Sequence, residues 1–136
     1  MDWAYNAGYY VILDEHHSTN GGVQNPIPKC SGYMATTDEN NIAESKRFLE
    51  GIWKQIASTF NNSYGERLIF ETINEPRNEF GNGSHKWDAV PGSCNECRKT
   101  FEVINEYNQL VLNTIRASGG NNAKRFVMVP GNGDKI

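Results

Sequence analysis

The sequence has no long apolar run, no excess of basic residues and too few cysteines for a disulfide framework. Nothing in its 136 residues approaches the roughly 20 consecutive apolar residues that a membrane-spanning helix needs, so no membrane partner is expected. Lys and Arg number 13 against 16 Asp and Glu, and the net charge of -3 leaves no basic patch. Nucleic acid is therefore excluded as a partner class. The opening Met1-Asp2-Trp3-Ala4-Tyr5 lacks the basic and apolar regions of a secretory signal. The three cysteines, Cys30, Cys94 and Cys97, are odd in number. The Cys94-Asn95-Glu96-Cys97 spacing matches half of a zinc site or a redox pair. No second such pair and no spaced histidine pair completes it, and structural zinc takes four ligands. A local loop disulfide or two plain thiols is expected there, with no metal and no cofactor.

What is present is patterned. With 38% hydrophobic and 21% charged residues, the chain can bury one modest core. Residues 2–7 suggest the last turns of a helix with Trp3, Ala4 and Ala7 as its apolar stripe, and Gly8 stands where a C′ glycine is expected. Tyr9-Tyr10-Val11-Ile12-Leu13 follows as a near-continuous apolar run, which suits a strand buried on both faces. A polar loop rich in Gly and Pro runs from Ser18 to Thr37. Helical spacing then places Ile42, Leu49, Ile52, Trp53, Ile56 and Phe60 on one side, with Asp38 or Thr37 as N-cap.

The pattern repeats. Residues 67–73 form a second strand closed by Asn74-Glu75-Pro76, and a loop containing Gly81, Gly83, Pro91 and Gly92 leads to a third helix. Phe101, Ile104, Tyr107, Leu110, Val111 and Ile115 make its stripe, Gly119-Gly120 end it, and residues 125–131 form a third strand. This order, β-α-β-α-β after an initial helix, predicts parallel strands with helical crossovers. Both long loops follow strands, where barrels and doubly wound enzymes place their chemistry.

His16-His17 closes the first strand, Asn74-Glu75 the second and Gly131-Asn132 the third. Singly, each has an ordinary explanation: a Glu before Pro in a turn is commonly solvated, and imidazoles at strand ends find hydrogen-bond partners easily. Their coincidence on successive strands of one repeat points to a shared site.

Residues 9–17 (Tyr-Tyr-Val-Ile-Leu-Asp-Glu-His-His), 68–77 (Leu-Ile-Phe-Glu-Thr-Ile-Asn-Glu-Pro-Arg) and 119–131 (Gly-Gly-Asn-Asn-Ala-Lys-Arg-Phe-Val-Met-Val-Pro-Gly) resemble strands three, four and five of glycoside hydrolase family 5. The last block is similar to the endoglucanase and xyloglucanase branch. The resemblance implies an α/β fold, a partial (β/α)₈ TIM barrel, with residues 1–136 forming a fragment of one catalytic domain. It implies a retaining endo-β-1,4-glucanase acting on β-glucan polysaccharides. Glu75 is then the general acid/base. Asn74 holds the 2-hydroxyl of the sugar beside the scissile bond, His16 lines the site near the nucleophile, and His17 contacts sugar further along the cleft. Trp87, in the loop after the acid/base strand, becomes the candidate stacking platform, whereas Trp3 and Trp53 lie on helical stripes and are expected in the core.

Elementary chemistry supports these assignments. A retaining glycosidase needs an acid to protonate the leaving oxygen and a second carboxylate about 5 to 5.5 Å away to attack. The acid must keep its proton near neutral pH, which burial and the second carboxylate favour. Side chains alternate along a strand, so Asn74 and Glu75 can share one cleft only where the strand ends or bulges, and Pro76 fits an ending.

Three features strain the comparison. Glu15 is expected to face the helix layer with no evident partner. Glu71 shares the parity of Glu75 and is expected as a buried acid needing a donor. A full barrel takes about 250 residues, and the family's nucleophilic Glu, at the end of strand seven, has no counterpart here. A truncated reading of a longer gene is therefore expected, with the parent exported because its substrate is extracellular and the location of this shorter chain undetermined.

Two other function classes are open. One is a metal-dependent hydrolase using Asp14, Glu15, His16 and His17, disfavoured because adjacent strand residues point oppositely and the helical His spacing of zincins is missing. The other is a non-catalytic carbohydrate-binding half-barrel.

Overall fold

The computed structural model describes residues 1–16, 37–76 and 95–131. A short helix α1 (Asp2–Asn6) precedes strand β1 (Val11–Asp14), the long helix α2 (Glu39–Phe60) and strand β2 (Leu68–Glu71). Helix α3 (Asn95–Ala117), a 3₁₀ turn (Gly120–Ala123) and strand β3 (Val127–Met128) follow. The strands form one parallel sheet in the order β1-β2-β3, with Val11 opposite Leu68, Asp14 opposite Glu71 and Phe70 opposite Val127. Parallel neighbours joined through helices on one face are the expected partial (β/α)₈ arrangement.

Local chemistry sets the boundaries. Asp38 caps α2, its carboxylate accepting from the Asn41 backbone N–H at 2.8 Å. Gly8 ends α1 with φ +92°, and the Tyr9 and Gly8 N–H groups donate to the Ala4 and Tyr5 carbonyls at 3.1 Å each. That is a Schellman closure, and it requires the left-handed conformation that glycine adopts without penalty.

Period-two alternation divides the strands between two environments. Leu68 and Phe70 are fully buried against α2 and α3, together with Leu49, Trp53, Ile73, Val103, Tyr107, Val111 and Ile115. Val11, Leu13 and Val127 pack on the same cluster. The alternate residues Ile12, Phe126 and Met128 are exposed on the opposite face. The expectation of a first strand buried on both faces is thus corrected. Tyr9 and Tyr10 precede the strand and are exposed, because helices cover the sheet on one side only among the described residues.

Trp53 lies in the core as expected, tilted against Phe70 with ring centroids 5.3 Å apart. Trp3 does not: it is 80% exposed, and α1 buries none of its residues. The contact of α1 is made instead by Tyr5, which stands edge-on to Tyr64 at 5.1 Å while the Arg67 guanidinium donates to the Tyr5 carbonyl at 2.8 Å. An apolar stripe on a five-residue helix is too short to fix which side faces the core.

Arg125 closes the amino-terminal end of the sheet. The residue is 3% exposed, and its guanidinium donates to the Asn122 side chain (2.6 Å) and to the carbonyls of Leu68 (2.8 Å), Phe60 (3.0 Å), Gly65 (3.1 Å), Tyr64 (3.1 Å) and Asn61 (3.2 Å). It also lies 4.7 Å from the centre of the Phe70 ring. Burial lowers its pKa, but the fork of donors suits the carbonyls that α2 leaves unpaired at its end. Asn122, fully buried, extends the junction by donating to the Ala57 carbonyl at 2.8 Å. Gly120 completes it: a Cβ there would fall 2.5 Å from the side-chain oxygens of Asn61 and Asn62.

Arg125→Met keeps the apolar stem and removes the donors from the buried Leu68 carbonyl and the part-buried carbonyls at the end of α2. It is expected to destabilise the fold by about 3 kcal/mol, read as a lower urea midpoint. A loss below about 0.5 kcal/mol would show that water replaces the guanidinium at no cost.

Candidate active site

The carboxyl ends of β1 and β2 bring the polar strand-end residues together. Because Val11 and Leu13 face the helices, alternation puts Ile12 and Asp14 on the opposite face, and the register sets Asp14 beside Glu71. Beyond the regular strands the ladder continues for one more bond, from the Asn74 N–H to the Glu15 carbonyl at 3.1 Å. This link holds the 14–16 and 72–75 segments side by side.

His16 sits at that junction. Its Nδ1 lies 2.7 Å from Asp14 Oδ2, and its Nε2 lies 3.5 Å from Asn74 Nδ2. The His16 pKa is raised, first by the hydrogen bond to Asp14 and further by the charges of Asp14, Glu75 and Glu15, against a lowering from burial. Glu71, half-buried, is also raised: burial comes first, Asp14 and Glu75 add to it, and His16 opposes it. These mutual influences mark one electrostatic cluster of Asp14, His16, Glu71 and Glu75. Glu15 is buried, 7% exposed.

Glu75 is the sole non-glycine residue with positive φ (41°) among those described. For an L-residue the left-handed region costs about 1–2 kcal/mol, so this turn persists only because its surroundings impose it. It breaks the alternation after Asn74, as the sequence requires if both residues are to serve one cleft. Pro76 follows and is buried.

A second set of hydrogen bonds braces the strand end from the helix side. Trp53 Nε1 donates to the Thr72 carbonyl (2.9 Å), Thr72 Oγ1 to Asn108 Oδ1 (2.6 Å), and Asn108 Nδ2 to the Pro130 carbonyl (2.9 Å). Through these three side chains α2 and α3 fix the ends of β2 and β3. The sequence reading missed Asn108 and Thr72. The available signal was spacing, since Asn108 falls within the buried stripe of Ile104, Tyr107, Val111 and Ile115.

Of the sequence-derived site residues, the structure thus brings together His16, Asn74 and Glu75. His17 and Trp87 lie outside the described residues, as do Cys30 and Cys94. Cys97 is disulfide-bonded and so is not a plain thiol. Among the described residues no group of three His, Cys, Asp or Glu side chains is arranged to hold a metal ion. No described helix is long and apolar enough to cross a membrane.

Comparison with known proteins decides the family. The profile of cellulase (glycosyl hydrolase family 5) matches residues 1–134. The chain belongs to glycoside hydrolase family 5.

Endoglucanase B of Neocallimastix patriciarum is 38% identical over 131 residues, covering 96% of this chain and 23% of the relative. Endoglucanase B of Clostridium cellulovorans is 40% identical over 134 residues, covering 95% and 24%. A family 5 lichenase from Caldicellulosiruptor sp. F32, solved in complex with cellotetraose, superposes with a TM-score of 0.77 at 31% identity. That match covers 97% of this chain and 31% of the lichenase. A broad-specificity endoglucanase from Ruminococcus champanellensis with bound cellotriose gives 0.74 at 34% identity, covering 97% and 32%. The family 5 chain therefore spans about a quarter of the length of these two sequence relatives.

The backbone at position 75 generates a test. Glu75→Gly is expected to be more stable than Glu75→Ala by about 1 kcal/mol, since both lack the carboxylate and only alanine pays for the left-handed turn. Denaturant unfolding of the two variants checks this, and equal stability would mean that the strand end relaxes out of the left-handed region.

Proposed function

We propose that this chain is part of the catalytic domain of a retaining endo-β-1,4-glucanase that hydrolyses β-glucan polysaccharides, with residues 1–136 forming one contiguous piece of that single domain. Glu75 is its general acid/base. The observation that carries this reading is the left-handed strand end at Asn74-Glu75, held against His16 of the neighbouring strand in a chain that belongs to family 5 over nearly all its length.

The roles follow from charge flow at the anomeric carbon. In the first step Glu75 donates its proton to the glycosidic oxygen as that oxygen leaves, while a second carboxylate attacks from the opposite face. Glu75, now ionised, takes a proton from the water that releases the sugar in the second step. Asn74 holds the 2-hydroxyl, in a contact that strengthens as oxocarbenium character develops. His16 lines the site beside it. His17 and Trp87 contribute sugar contacts further along the cleft, Trp87 by stacking. The attacking carboxylate is supplied by the full-length enzyme from outside these 136 residues: the resemblance puts it at the end of a strand with no counterpart here, and Glu66, Glu96 and Glu106 lie before a strand or on a helix. A polysaccharide is too large to enter a cell, so the enzyme acts outside the cell or on its surface.

Leaving-group dependence tests the assignment. In the full-length enzyme Glu75→Gln is expected to cut turnover of β-glucan by about a thousandfold, while glycosylation by an activated aryl glycoside, which needs little protonation, falls less than about tenfold. Equal losses on both substrates would move the acid role elsewhere. The 136-residue chain alone is expected to show no hydrolysis of carboxymethylcellulose, β-glucan or xyloglucan, for it lacks the second carboxylate.

A further inference from the structure

Asp14 has no part in the chemistry described so far, yet it touches the imidazole directly. Its Oδ2 lies 2.7 Å from His16 Nδ1, two residues along the same strand end. An ionised carboxylate only accepts hydrogen bonds, so the Nδ1 atom must carry the proton. In the neutral ring Nε2 is then a lone-pair acceptor. The group beside Nε2 is the Asn74 amide nitrogen, at 3.5 Å, which can only donate. The two contacts are chemically consistent in one arrangement: Asn74 N–H toward His16 Nε2, and His16 Nδ1–H toward Asp14.

We propose that Asp14 is a positioning residue that fixes the tautomer of His16 and, through it, the face that the Asn74 amide presents to substrate. With Nδ2 turned toward His16, Oδ1 lies at the other end of the planar amide and accepts from the sugar. The opposite tautomer would place Nε2–H against the Asn74 N–H group, two donors facing each other, and the amide would turn over. This proposal rests on the role given to Asn74 above.

The same contact couples the amide to pH. Protonation of His16 makes Nε2 a donor and removes the acceptor that orients Asn74. Among the described residues, the charges that bear on the ring include Asp14 and Glu15 from its own strand end, Glu71 of β2 and Glu75 just beyond it. Asp14 is the largest influence, and it raises the pKa. Removing its charge must therefore move the titration of His16 to lower pH.

Two variants in the full-length protein separate these effects. Asp14→Asn keeps an oxygen for the Nδ1 proton and removes the charge. Asp14→Leu removes both. Correlation spectra of imidazole nitrogens in ¹⁵N-histidine-labelled protein read the tautomer and its titration directly, independent of turnover. The wild type is expected to show His16 protonated at Nδ1, and Asp14→Asn to keep that tautomer while its midpoint falls by about one pH unit. Asp14→Leu is expected to populate the Nε2–H form. Turnover of β-glucan by Asp14→Leu should fall about tenfold in kcat with KM nearly unchanged, as expected when a contact made in the transition state is misdirected.

An Nε2–H tautomer in the wild type would overturn the proposal, as would a tautomer and midpoint unchanged in Asp14→Leu. So would a loss confined to KM. Failure of the underlying reading has a different signature: wild-type protein without activity on β-glucan, or Asn74→Ala with unchanged kcat, while the imidazole spectra still respond to Asp14.

Discussion

One buried guanidinium organises the end of the sheet remote from the chemistry. Arg125 collects carbonyls from the last turn of α2, from the turn before β2 and from β2 itself, so three elements end or begin at a single charged group. Burying such a charge is tolerated because its N–H groups are matched by acceptors, most of them backbone carbonyls at the end of α2 and the start of β2. Arg125 thereby ties the start of β2 to the turn before β3, and β1 joins that frame where the Val11 N–H donates to the Arg67 carbonyl at 2.8 Å. Register then decides what meets at the carboxyl ends, with Asp14 beside Glu71 and His16 beside Asn74.

The carboxyl end works under the opposite constraint. Conformational strain at Glu75 and like charges on Asp14, Glu71 and Glu75 are collected there rather than dispersed. Neither helps the fold. Both suit the proposed site, in which a carboxyl group, an amide and an imidazole are held close together. The brace through Trp53, Thr72, Asn108 and Pro130 offsets this cost by tying the strained segment to two long helices. Stability concentrated at one end of the strands and chemistry at the other is the division of labour of parallel barrels.

Much of this was legible in the sequence, for reasons that can be named. Helical spacing identified Trp53 as core, Asp38 or Thr37 stood as the capping residue before an amphipathic run, and Gly8 stood one position past a helix end. The Asn-Glu-Pro strand end carried the family resemblance. Arg125 was not legible, because Lys124-Arg125 after a polar turn resembles a solvated surface and only tertiary contacts supply its acceptors. Trp3 misled because hydrophobicity alone does not orient so short a helix. Tyr9 and Tyr10 misled because an apolar run does not reveal that one face of a sheet is left uncovered by the described elements. Asp14 was read as a candidate metal ligand; its partner two residues on became clear only when the end of β1 was seen beside that of β2.

The central claim is that these residues supply the acid/base half of a double displacement while the other half lies elsewhere in the protein. Trapping the covalent intermediate tests it most directly. An activated 2-deoxy-2-fluoro cellooligosaccharide incubated with the full-length enzyme should label one glutamate, and peptide mapping should place that residue outside the 136 residues described by this sequence. A label on Glu75, or on Glu71 beside it, would contradict the account, for the nucleophile would then lie within this chain and the acid/base role would have to pass to another carboxylate.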